Sequence, residues 1–189
     1  MPCGASLEVV QATVQREDDV EVSDHADLEI RVLPILPRER IDEIIRQHLR
    51  EHGWQEQPDG SLHKQIGDAI AVLPPDSSTI RVTLSDETQV SVSAKARAFG
   101  DQADVEAKAA AEAERRLAAA SDEAKRELEA KTADRLLKAW HEVRAEIDEV
   151  VNATTKQALE TRASELGSIE SIEEGTSNGG YELTITVRT

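Results

Sequence analysis

The chain has 189 residues, 39% hydrophobic and 32% charged, with 38 acids against 22 bases and a net charge of −16. That balance suits a folded domain rather than a disordered tail, and its acidity argues against nucleic acid or an anionic membrane as a direct ligand, since phosphate surfaces need a basic footprint. One cysteine, Cys3, excludes an internal disulfide and any cysteine-rich metal site, and aromatics at 2% restrict the core to Ile, Val, Leu and Ala.

The first residues lack a charged segment followed by an apolar one, and no apolar run approaches bilayer length, so a cytoplasmic location is expected. Leu7 to Val14 alternates with a change of phase at Val9–Val10, which predicts a strand carrying a bulge. Arg16 to Asp27 is polar and acidic and reads as a loop with a short extended piece at Val20–Val22. Leu28, Ile30 and Val32 alternate with Glu29 and Arg31 as a half-buried strand, ended by Pro34 and Pro37.

Pro37 opens a helix running to His52, with Ile41, Ile44, Ile45 and Leu49 on one face and Gly53 after its end. Trp54–Gln57 and Ser61–Gln65 flank Pro58-Asp59-Gly60, a hairpin with a turn of the right chemistry. Ile66 to Leu73 reads as extended until Pro74-Pro75. Two further alternating runs follow, Ile80–Leu84 and Val90–Ala98, and Ser85-Asp86-Glu87-Thr88 is expected to join them as a hairpin.

From Asp101 to Leu166 there is neither Gly nor Pro. Alanine dominates the first third, and acids precede bases by four residues at Asp104/Lys108, Glu112/Arg116, Asp122/Arg126, Glu127/Lys131 and Asp134/Lys138. Both features favour helix, the pairs by about 0.2–0.5 kcal/mol each. The segment is either one long rod or an antiparallel helical hairpin broken at Ala120–Ser121, where Ser121 followed by Asp122 and Glu123 has the form of an N-cap. Gly167 is expected to cap the helix in a left-handed conformation. Tyr181, Leu183, Ile185 and Val187 then share one face of a last strand, which is expected to pair with the earlier sheet.

These elements predict an α+β fold: an antiparallel or mixed sheet with one short helix and a long helical segment inserted before the C-terminal strand. The expected organisation is a sheet domain of residues 1–100 together with 167–189, and a helical segment at 101–166. Strands and helices do not alternate as a doubly wound nucleotide fold requires, and no phosphate-loop or nucleophile-elbow motif is present.

Two sets of residues invite a functional reading. His48-Leu49-Arg50-Glu51-His52 matches the H-x-x-E-H string of inverted zinc proteases, with His48 and His52 one turn apart on a helix as candidate metal ligands. The helix stops just after the string and no third ligand stands out, so two histidines complementing a helix C-terminus account for it as well. No catalytic residue and no cofactor is assigned. The other set is the stripe Leu136, Leu137, Trp140, Val143, Ile147 and Val150 on the long helix. Such a stripe either packs on the chain's own sheet or pairs with a partner helix or second copy, as in a coiled coil. The reading favoured is a non-enzymatic acidic scaffold or adaptor acting through protein contacts of the long helix. A metal-dependent hydrolase using His48 and His52, or a small-ligand binding module with a pocket between sheet and helix, are the alternatives.

Overall fold

The computed structural model describes residues 9–99, 101–177 and 180–188. Its elements are β1 (Val9–Glu29), α1 (Arg38–Glu51), β2 (Gln55–Glu56), β3 (Leu62–Ile66), β4 (Ala69–Leu73), β5 (Thr79–Phe99), α2 (Gln102–Leu166), β6 (Ser168–Ser177) and β7 (Gly180–Arg188). Five strands form one sheet in the order β1-β5-β4-β3-β2, and β6 and β7 form a second sheet of two. The fold is α+β, as expected, with the short helix and the long helix in their predicted places. Leu7 and Cys3 lie outside the described residues.

Contacts divide the chain into two units. The first comprises Met1–Asp24 with Ser85–Asp134, the second His25–Leu84 with Arg135–Thr189. The helical segment is therefore not a body apart: α2 supplies residues to both units.

The second unit holds the aliphatic core. Leu49 of α1, Leu62 of β3, Ala71 of β4 and Ile80 and Val82 of β5 are fully buried, with Val143 and Val150 of α2 packed into the same cluster. Alternation explains the sheet's share: β3–β4 register sets Leu62 opposite Leu73, Lys64 opposite Ala71 and Ile66 opposite Ala69, so one face is apolar but for Lys64. The predicted turn at Pro58-Asp59-Gly60 is present. Gly60 has φ +82, Gln57 accepts the Gly60 N–H at 2.9 Å, and Asp59 accepts from both the N–H and the hydroxyl of Ser61. Those donors hold the Asp59 carboxyl below its ordinary range. Arg46 of α1 donates to the carbonyls of Gly60, Pro74 and Pro75, fastening the helix to two turns at once.

One expectation in this unit fails. Residues 66–73 are not one extended run but the antiparallel pair β3–β4, reversed at Gly67-Asp68 with Gly67 at φ +58. Gly67, between Ile66 and the apolar run Ala69–Leu73, supplies the left-handed residue that a two-residue turn needs.

The first unit is built from the outer parts of β1 and β5 with the first half of α2. Here two expectations fail together. The acidic stretch 16–27 is strand, not loop, and Ser85-Asp86-Glu87-Thr88 lies inside β5 rather than turning a hairpin. Backbone pairing between two long strands tolerates polar side chains wherever those side chains find partners. Ser85 donates to Ser23 at 3.0 Å, Gln89 to Asp19 at 3.2 Å and Arg97 to Gln11 at 3.1 Å. As the β5 number rises the β1 number falls by the same step, which is an antiparallel pair in constant register. The second unit continues it, where Arg81 donates to both carboxylate oxygens of Asp27 at 2.8 and 3.0 Å.

The helix-facing side of this ribbon carries small residues. Ala12, Val20 and Ala94 of the ribbon and Val105, Ala109 and Ala113 of α2 are buried, and Val10, Val14, Ala96 and Ala98 pack against the cluster of Ala12, Val105 and Ala109. Two serine and threonine hydroxyls of α2 reach the ribbon's acids: Ser121 donates to Asp18 at 2.7 Å, and the fully buried Thr132 to Asp86 at 2.8 Å. Ser121 thus spends its side chain on the ribbon, and α2 is one continuous helix with no break at Ala120–Ser121.

The end of the chain corrects two further expectations. The last strand pairs with β6 in a separate antiparallel hairpin, with a bulge between Ile169 and Ser171, and not with the five-stranded sheet. Residues 168–177 give that strand a neighbour close in sequence, so the longer return is unnecessary. Gly167 does not have positive φ, unlike Gly53, Gly60 and Gly67. It is small for a different reason: a Cβ there would overlap the carbonyl oxygen of Arg188 and press on Val187.

Candidate functional site

Four of the six stripe residues are committed to the second unit's own core. Leu136, Val143, Ile147 and Val150 are buried there against β-sheet and α1 residues. Trp140 is half-buried beside the cluster. Its indole N–H points to the Asp27 carbonyl at 3.4 Å, Arg144 lies over its ring at 5.3 Å, and His141 meets it edge-on at 5.2 Å. Only Leu137 stands out from the surface, 54% exposed. The apolar stripe that the sequence offered to a partner is thus largely the internal seam of this unit.

The histidines of the H-x-x-E-H string lie at the last turn of α1, where the sequence put them. His48 uses both ring nitrogens on protein groups: Nδ1 faces Glu51 at 3.1 Å and Nε2 faces the Gln157 amide oxygen at 3.0 Å. The bonds from Gln47 and His48 hold the Glu51 carboxyl below its ordinary range, so it is an anion engaged by its own helix. His52 closes the helix, and its carbonyl accepts from Lys64 at 2.9 Å. Among the described residues, no group of three or more His, Cys, Asp or Glu gathers in metal-binding geometry.

Sequence reasoning missed the polar knot beside it. Trp54, 3% exposed, donates its indole N–H to Glu146 of α2, and Lys64 of β3 forms an ion pair with the other oxygen of the same carboxylate. Both charged side chains are mostly buried, so each needs the other. The arrangement satisfies an indole, an ammonium, a carboxylate and a helix-end carbonyl together, and leaves none of them free for a substrate. The pairing joins residues 54, 64 and 146, and spacing along the chain carries no signal for it.

The cavities of this unit are shallow. One of about 280 Å³ lies where β1 runs out towards α1, lined by Ile30, Val32, Pro34, Leu36, Ile41 and Ile45, with Arg38 and Asp42 at its rim. Arg38 and Asp42 face each other across 3.6 Å, and the neighbouring Leu33 is 64% exposed. Another, of about 180 Å³, lies between the Gly67-Asp68 turn and α2 residues Arg135, Lys138 and Glu142. Ser78 also lines the first of these, and the polar lining of the second is the charged side chains of Asp68, Arg135, Lys138 and Glu142.

Among the described residues, no helix is long and apolar enough to cross a membrane. The described surfaces present charge, an open strand edge at β1 and scattered exposed apolar side chains such as Leu33 and Leu137. The chain belongs to the family described as FtsH ternary system domain X5, whose model matches residues 8–189. No curated protein and no solved structure matches it.

Proposed function

We propose that the protein is a non-enzymatic, protein-contact component of the ternary system that its family is named for. The family match over nearly the whole chain carries this reading, because a system of several parts is held together by contacts between them. Two features of the molecule support it. The long helix α2 contributes to both contact units and so acts as a common scaffold. The sites that resemble chemistry, at His48 and at Glu146, are occupied by side chains of the chain itself.

The role first expected for the stripe on α2 narrows accordingly. With Leu136, Val143, Ile147 and Val150 inside the core, contacts made by α2 would use Leu137, Trp140 and the charged face of residues 102–134. The groove beside Leu33 favours a second reading, a binding pocket for an apolar group, and a fluorescent apolar probe displaced by Ile45→Trp would reveal it.

Native mass spectrometry of the protein purified from its own source tests the proposal. A heteromeric complex with stoichiometric companions is expected. A monomer free of companions at physiological salt would contradict it.

A further inference from the structure

The ribbon of the first unit has one face turned away from α2, and its charges are sorted. Alternation puts Gln11, Thr13, Gln15, Glu17, Asp19, Glu21 and Ser23 of β1 on that outer face. The side-chain pairs Ser23–Ser85, Asp19–Gln89 and Gln11–Arg97 fix the register, and by it Glu21 stands directly opposite Glu87. Like charges directly opposite one another destabilise a strand pair. Glu17, Glu21 and Glu87 are exposed and make no ion pair or side-chain hydrogen bond among the described residues. No Lys or Arg lies on the outer face between Gln15 and Ser23 or between Ser85 and Ser93; the face's bases, Lys95 and Arg97, sit at its other end.

The same stretch is an edge. β1 ends the strand order, so its backbone on the side away from β5 has no strand neighbour among the described residues. An open edge of this length invites another strand, and proteins guard such edges with charge. Acidic guards are selective. A second copy of β1 laid antiparallel about Asp19 would set Glu17 against Glu21 and Asp19 against itself, so self-pairing in that register is opposed. A basic strand is attracted instead.

We infer that the β1 edge between Gln15 and Ser23 takes up, by strand addition, an extended partner segment with a basic residue at every second position. The spacing follows from the strand itself. Glu17, Asp19 and Glu21 recur every two residues on one face, and a strand added beside β1 keeps that period, so Lys or Arg at i, i+2 and i+4 meets all three acids. Its intervening residues fall on the side of Val20 and Val22, where small apolar side chains suit. Main-chain hydrogen bonds supply affinity and the charge alternation supplies register and choice of partner. This inference rests on the docking reading and names the partner chemistry for it.

The test uses the full chain and two synthetic peptides of the same composition, each acetylated and amidated. One is Thr-Lys-Val-Arg-Val-Lys-Thr; the other gathers the bases together as Lys-Arg-Lys-Thr-Val-Val-Thr. The alternating peptide is expected to bind at least tenfold more tightly, to weaken with added salt, and to slow amide hydrogen exchange within residues 15–23. The triple variant Glu17→Gln, Asp19→Asn, Glu21→Gln should lose at least tenfold of that affinity, and its unchanged circular dichroism would show that the ribbon still forms. Equal affinity for the two peptides, no binding, protection placed elsewhere, or an unaffected folded triple variant would each overturn strand addition. Exchange measured on the complex purified from its own source separates the two proposals. A complex that leaves residues 15–23 unprotected would refute this edge and leave the docking reading standing, whereas absence of any complex refutes the docking reading itself.

Discussion

The two halves of α2 do different work. Residues 135–166 present Leu136, Val143, Ile147 and Val150 to a core that also holds Leu49, Leu62, Ile80 and Val82. Residues 102–134 present Val105, Ala109 and Ala113 to a ribbon whose buried residues are Ala12, Val20 and Ala94. Hydrophobic stabilisation scales with apolar area removed from water, roughly 25 cal/mol per Å², so the second half is held by long side chains and the first by close approach of short ones. A helix on a small-residue seam is sensitive to bulk and forgiving of loss; a helix in an aliphatic core is the reverse.

Substitutions sharpen that contrast. The largest effect is expected from Leu49→Ala, which empties a fully buried position and should cost about 2–5 kcal/mol in urea unfolding. Ala109→Leu should cost about 1–3 kcal/mol by forcing α2 away from the ribbon, and the loss should appear as faster hydrogen exchange in the first unit only. If Ala109→Leu were neutral, the seam would not be tightly closed. Thr154→Val tests the core from the other side. Thr154 is fully buried with a hydroxyl that has no hydrogen-bond partner among the described residues, so the isosteric change should be neutral or stabilising by about 1 kcal/mol.

The smallest effect concerns pH. The Arg81 guanidinium beside Asp27 holds that carboxyl below its ordinary range. A carboxylate with a lowered folded pKa adds stability above its unfolded pKa and loses it as pH falls through the folded one. Asp27→Asn should therefore flatten the acid limb of a stability–pH curve while changing little at neutral pH, because the pair is exposed.

Local chemistry was readable wherever it was decisive. The amphipathic face of α1, the Pro-Asp-Gly turn and the uninterrupted helix from 102 to 166 each follow from residues within a few positions of one another. The long strands were hidden because their polar residues satisfy each other across the chain: Ser85 with Ser23, and Asp86 with Thr132. The same distance hid the use of Ser121, whose N-cap chemistry is spent on Asp18. The Gly67-Asp68 turn was overlooked because its flanks, Ile66 and Ala69, read as one apolar run. Of the candidate site, the stripe on α2 was found but not its destination, since periodicity shows that a face is apolar and not what covers it. Gly167 shows the limit most simply: a glycine after a helix has two possible reasons, and the close carbonyl of Arg188 comes from twenty-one residues further along.

Hydrogen exchange along α2 in the isolated chain is the most direct test of the contrast. Amides from 136 to 158, over the aliphatic core, should exchange slowest, and those from 105 to 128, over the alanine seam, markedly faster. Uniform protection along the helix, or stronger protection in its first half, would contradict the assignment of a firm core to one unit and a thin seam to the other.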